Sequence, residues 1–150
     1  MAKNDQQAKV LAALSVLLAN TYTLYLKTQN YHWNVTGPYF SQLHALFQTQ
    51  YEDLALANDL LAERIRALGE KAPGSYSAFA KLSSIKEENG NPAAMQMVKN
   101  LAKDHETLSA SAEVLIKAAE AAGDEPSLDM AIQRMDVHQK THWMLAAHLE

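Results

Sequence analysis

Apolar positions recur at three- and four-residue steps through most of the 150-residue chain, and no stretch alternates β-branched and polar residues with period two. Such spacing places apolar side chains on one side of an α-helix, so the chain reads as all-α. A first helix is expected from about Gln6 to Asn34, with Val10, Leu14, Leu17, Leu18, Thr21, Leu24, Tyr25 and Thr28 as its inward stripe. Gly37 suits a turn and Pro38 suits the first position of the next helix. That second helix reads without interruption from Pro38 to Leu68, along a seam of Phe40, Leu43, Phe47, Tyr51, Leu54, Asn58, Leu61, Ile65 and Leu68, with Gly69 as its stop. Pro73, Gly74, Gly90 and several serines mark a long crossover between Lys71 and Gly90, with one short helix near Ser75 to Leu82. Asn91-Pro92 is expected to cap a third long helix ending near Ala122. Gly123 closes it, and Asp124 to Ser127 starts a fourth that carries Leu128, Ile132, Met135, His142, Leu145 and Leu149. Two helical hairpins joined by a long crossover predict a four-helix bundle. The chain reads as one domain, 1–150, with residues 1–5 a short flexible tail.

Composition narrows the chemistry. The absence of cysteine removes disulfides, thiolate metal sites and cysteine nucleophiles, and fits a reducing compartment. No signal-peptide pattern opens the chain and no apolar run approaches the roughly 20 residues that span a bilayer, so a cytoplasmic protein with no membrane partner is expected. The formal charge of −4 is mild for one chain, but it makes an assembly of many copies acidic and attractive to cations.

The residues with metal-ligand chemistry fall in two groups. His32 and His44 lie in His32-Trp33-Asn34-Val35-Thr36-Gly37 and Leu43-His44, and can meet if the chain turns back at Thr36-Gly37-Pro38. Asp59 and Glu63 are four apart, on one face of the second helix. Fifteen residues separate His44 from Asp59, which is roughly 22 Å along a helix axis. One ion cannot span that distance. A second copy running antiparallel across a twofold axis brings one copy's histidines to the other's carboxylates. Two imidazoles with two carboxylates suit Fe(II), Zn(II) or Mn(II). No Glu-x-x-His pair is present, which argues against the diiron centre that such pairs build within a single subunit.

On these residues, His32-Trp33-Asn34-Val35-Thr36-Gly37, Leu43-His44 and Asp59-Leu60-Leu61-Ala62-Glu63-Arg64, the chain resembles the Dps family of small ferritin-like proteins. The resemblance runs from the first helix to Trp143-Met144. It implies a ferritin-like four-helix bundle assembled as a hollow dodecamer of twofold dimers. It also implies a ferroxidase that oxidises Fe(II) to Fe(III) between subunits, with hydrogen peroxide preferred over O2, stores ferric oxide inside and protects against oxidative stress. His32 and His44 would come from one subunit and Asp59 and Glu63 from its partner, holding up to two irons, with Zn(II) as a competitor. One departure stands out, because many members carry an acid four positions after the second histidine and this chain has Gln48. An amide supplies no negative charge, so one iron position is expected to be firm and the second weak. Asn58, where the family often has an apolar residue, is a smaller departure. Trp33, beside His32, is a candidate electron donor when a single iron is present.

Other residues weigh less. Asp59 has a solvated face and Glu63 has pairing with Arg66, or with a lysine across an interface, as ordinary alternatives, and His138 and His142, four apart, are read first as a solvated face or interface contact. Trp143, Met144 and the methionines at 95, 97, 130 and 135 are expected to pack. Asp124, Asp129 and Asp136 lie where the family forms iron-entry pores, although capping explains Asp124 as well, and Glu52 and Asp53 are candidates to nucleate mineral. DNA association, or a structural shell with lost iron chemistry, is the alternative function. Residues 1–9 offer two lysines against one aspartate, too little cation for strong phosphate binding.

Overall fold

The computed structural model describes residues 2–150 and, among them, contains helices and no strand: α1 (Ala2–Asn34), α2 (Phe40–Ala67), α3 (Tyr76–Leu82), α4 (Ala94–Ala122), α5 (Glu125–Ala146) and a terminal 3₁₀ turn (Ala147–Leu149). α1 packs on α2 and on α4, and α4 on α5, so two antiparallel hairpins form the bundle with the crossover between them. The inward stripe of α1 lies where the periodicity puts it: Val10, Leu14, Leu17, Leu18, Thr21, Leu24 and Thr28 are buried. Leu43, Phe47, Leu54, Leu61 and Ile65 meet it from α2, and Met97, Leu101, Leu108 and Leu115 from α4.

Helix ends show where local chemistry overrides the sequence reading. α1 extends back from Gln6 through the expected tail to Ala2, with Asp5 in the first turn, where a carboxylate opposes the helix dipole. Met1, the remainder of that tail, lies outside the described residues. α2 begins at Phe40 and leaves Pro38 in the turn. Gly37 takes a φ of +105°, and its carbonyl accepts from the Phe40 amide at 3.1 Å, closing a turn before the helix starts. α4 is preceded by Ala93 without a side-chain cap, so Asn91-Pro92 lead into the helix rather than cap it. Asp124 caps α5 as expected, accepting from the Ser127 amide at 3.1 Å. Ser75 caps α3 in the same manner.

A polar column on α1 grips the crossover. Asn20 Oδ1 accepts from Ser83 Oγ at 3.0 Å and Ser84 N at 2.8 Å, Lys27 Nζ donates to the Lys86 carbonyl at 2.7 Å, and the Tyr31 hydroxyl donates to Glu88. Tyr22 stacks on Phe79 of α3 at 4.9 Å. The buried ammonium of Lys27 also meets Asp104 on α4 at 2.8 Å. Burial raises the Asp104 carboxyl, against the pull of Lys27. α1 as a whole is apolar yet largely internal. By length and composition Asn4–Asn34 does pass for a membrane span, contrary to the sequence expectation, but half of its most apolar window is buried inside the bundle.

The last helix differs most from its sequence reading. α5 buries Ser127, Ala131, Arg134, His138 and Leu145. Ile132 and Leu149 are exposed, and so are Trp143 and Met144, which do not pack within the chain.

Candidate metal centre

The α1–α2 turn carries His32 in the last turn of α1 and His44 in the second turn of α2, and folds their rings face to face, with centroids 3.8 Å apart and planes 12° from parallel. Phe40 stacks behind His44 at 5.0 Å and Tyr51 meets His32 edge-on at 5.2 Å, fixing both rings. The decisive contacts are reciprocal. His32 Nδ1 donates to the His44 carbonyl at 2.6 Å, and His44 Nδ1 donates to the His32 carbonyl at 2.7 Å. A carbonyl can only accept, so each Nδ1 must carry its proton and each Nε2 is left with an in-plane lone pair. A backbone carbonyl on Nδ1 is the support that metal-binding imidazoles ordinarily have. The His32 carbonyl is among the last four of α1, which lack an intrahelical donor. The turn therefore satisfies a helix end and sets a tautomer at once.

Asp59 and Glu63 are exposed on α2, next to exposed Leu56 and Leu60. Within one chain they do not join the histidines, and among the described residues no group of three or more ligand-type side chains forms a metal cage. Glu63 does not pair with Arg66, which donates instead to the Glu70 carbonyl at 3.2 Å. Gln48, also exposed, donates to Glu52 at 2.9 Å, and Asp53 receives Arg134 at 3.0 Å. Both candidate nucleation carboxylates are thus partnered. Asp124 is tied to Arg64 at 2.7 Å as well as to Ser127; burial opposes its charge, but those hydrogen bonds hold its carboxyl below the usual range. Asp129 accepts from Gln133 and Asp136 is exposed, so these three acids have separate surroundings within the chain.

A second histidine pair escaped the sequence reading. His105 on α4 and His138 on α5 join Nδ1 to Nδ1 at 2.9 Å, with Arg134 3.4 Å from His138 Nε2. Both rings are buried, contrary to the solvated or interface placement read for His138. His142 stays nearer the surface, its Nδ1 donating to the Ala102 carbonyl at 2.8 Å. Burial, helped by the positive charge of Arg134, pushes His105 down to about 3 and lowers His138 too. His105 stands four residues after Leu101 and three before Leu108 in the core stripe of α4, a signal that could have found it.

Relatives share this architecture over the full chain. The ferritin-like domain family matches residues 11–150. The DNA protection during starvation protein of Brevibacillus brevis is 35% identical over 149 residues, covering 99% of this chain and 99% of its own. The chain belongs to the Dps family of ferritin-like proteins. The corresponding Porphyromonas gingivalis protein is 34% identical, covering 97% of this chain and 92% of its own length. Among solved structures, the Dps protein of Bacillus brevis superimposes with a TM-score of 0.94 at 35% identity, covering 97% of this chain and 98% of that one. The Dps protein of Vibrio cholerae O1, described as a member of a broad superfamily of ferritin-like diiron-carboxylate proteins, gives 0.93 at 34% identity, covering 97% and 92%.

Proposed function

We propose that this Dps-family chain is a mini-ferritin that binds Fe(II) between two subunits, oxidises it and stores the ferric product inside a closed shell. The observation that carries the reading is the crossed pair of Nδ1–carbonyl hydrogen bonds, which leaves each of the two stacked rings with a lone pair on Nε2. His32 and His44 of one subunit then supply the nitrogens, and Asp59 and Glu63 of its twofold mate supply negative charge. Two carboxylates four apart on a helix repel each other by roughly 0.2–0.5 kcal/mol, a cost that a cation between them reverses. Exposed Leu56 and Leu60 on the same stretch of α2 give the two copies an apolar contact.

Hydrogen peroxide is the oxidant that fits two-electron chemistry, with O2 the slower alternative. Gln48 leaves the second iron position weak, and exposed Trp33, beside His32, is placed to give one electron when a lone Fe(II) has reacted. Zn(II), with the same ligand preferences, competes for the site. A dodecamer built from twofold dimers is the proposed shell and the cytoplasm its compartment. With two lysines and one aspartate in residues 1–9, DNA is held weakly or not at all at physiological salt.

The deciding experiment pairs anaerobic Fe(II) titration with ferric absorbance after peroxide addition. Asp59→Ala and His44→Ala should each lose tight binding and rapid oxidation. Co-expressed, they should regain part of both, because a mixed dimer rebuilds one intact site. Undiminished oxidation in Asp59→Ala, or no recovery in the mixture, would overturn the shared site. A DNA mobility shift that persists at moderate salt would restore the DNA-associated reading.

A further inference from the structure

Three tyrosines run in a row through the α1–α2 interface. Tyr51 meets His32 edge-on at 5.2 Å between centroids, Tyr25 meets Tyr51 at 6.1 Å and 70°, and Tyr22 meets Tyr25 at 5.5 Å and 59°. All three are half-buried. At its far end the row opens on a cavity of about 640 Å³ that Tyr22 and Tyr25 line together with Asn58 and Asp59. The row therefore begins at the histidine half-site of a chain and ends beside the carboxylate half-site of the same chain. In a twofold dimer those half-sites belong to two different iron positions.

We propose that Tyr51, Tyr25 and Tyr22 form a one-electron relay joining the two intersubunit iron sites of a dimer. The proposal rests on the shared-site reading above, and it answers a difficulty created by Gln48. A site that holds one Fe(II) firmly offers one electron, whereas peroxide needs two to become water without releasing hydroxyl radical. With the relay, one Fe(II) at each site supplies the pair: two Fe(II), one hydrogen peroxide and two protons give two Fe(III) and two water molecules. Each tyrosine that yields an electron releases its phenolic proton to solvent, Tyr22 and Tyr25 through the cavity they line, and regains a proton with the replacement electron, so the tyrosines are unchanged over a turnover. The Tyr25 oxygen accepts an N–H from Gln29 at 3.1 Å, which leaves its own proton free to depart. Phenylalanine keeps the packing of such a ring but has no phenolic proton to lose, so it cannot serve as a relay at comparable potential.

The test loads wild type, Tyr25→Phe and Tyr51→Phe anaerobically with one Fe(II) per site and adds one peroxide per two irons. Freeze-quenched samples are read by electron paramagnetic resonance, with a spin trap reporting hydroxyl radical. Wild type should show a transient tyrosyl signal, complete iron oxidation and little trapped radical. Tyr25→Phe should bind Fe(II) as wild type does, and both variants should alter or weaken the tyrosyl signal, oxidise the iron severalfold more slowly and trap severalfold more radical. Equal rates, equal trapped radical and an unchanged signal in the variants would overturn the relay while leaving the shared site intact. Unimpaired Fe(II) binding by Asp59→Ala in the same series would instead remove the shared site. A tryptophanyl signal in place of a tyrosyl one would also overturn the relay, and would assign the electron to Trp33.

Discussion

His32 and His44 face each other across the α1–α2 hairpin, and His105 and His138 do so across the α4–α5 hairpin, yet the two pairs have opposite chemistry. In the first pair each Nδ1 is committed to a backbone carbonyl and each Nε2 is left with a lone pair. In the second, the two Nδ1 atoms are committed to one another, so one must carry the proton and the other must accept it. The first pair lies at a turn, with His44 half-buried; the second is sealed between helices and held by Arg134, which reaches out to Asp53. Residue type and ring proximity are the same. Which nitrogen the protein engages, and whether the other edge is open, separates the proposed ligand pair from a structural clamp.

Truncating one ring in each pair breaks that comparison most sharply. His138→Ala removes a wholly buried ring and strands His105 Nδ1. Cavity and lost hydrogen bond together should cost about 3–4 kcal/mol in chemical denaturation. Fe(II) affinity of the folded variant should be unchanged. His44→Ala should show the reverse, about 1–2 kcal/mol of stability with Fe(II) binding lost. Iron binding abolished in folded His138→Ala would merge the two pairs into one functional unit.

Acid separates the pairs by a smaller margin. His105 sits at about 3 and His138 is also lowered, because burial penalises the charged imidazolium and Arg134 repels it. For a base depressed in the folded state, the unfolded chain binds the proton first. Stability is therefore complete above the ordinary value of 6.5 and falls as pH drops below it toward 3. His105 alone should account for about 2 kcal/mol between pH 7.5 and 5. Denaturation midpoints should fall across that range, and His105→Asn should flatten the fall by removing one titration. A midpoint equally steep in the variant would assign the acid sensitivity elsewhere.

The same contrast explains what could be read before the structure. α1 and α2 were legible because their inward stripes are mostly apolar at three- and four-residue steps, and the meeting of His32 and His44 because Gly37-Pro38 turns the chain between them. Asp124 was legible as a cap because carboxylate, amide spacing and helix start coincide. The inward face of α5 was not, because Arg134 and His138 are polar yet inward and lie against each other at 3.4 Å. Apolar Ile132 and Trp143 are exposed on the same helix. Periodicity marks which positions are apolar, not what covers them, and it says nothing of where a backbone carbonyl will sit. The tautomer of the first pair, on which its chemistry depends, is set by two such carbonyls.

Gln48 gives the finest adjustment to the first pair. It stands one turn beyond His44 on α2, exposed, with its amide donating to Glu52. Replacing it by glutamate loses that hydrogen bond and sets two carboxylates four apart, an exposed change expected to cost about 0.5 kcal/mol or less. What changes is charge near the imidazole edges, since glutamate can coordinate a hard cation and the amide adds no charge. Anaerobic titration of Gln48→Glu should therefore rise from one tightly bound Fe(II) per site toward two. The Tyr25→Phe substitution should then matter less, because both electrons for peroxide come from one site. A titration unchanged from wild type would mean that the second position is set by something other than the charge at 48.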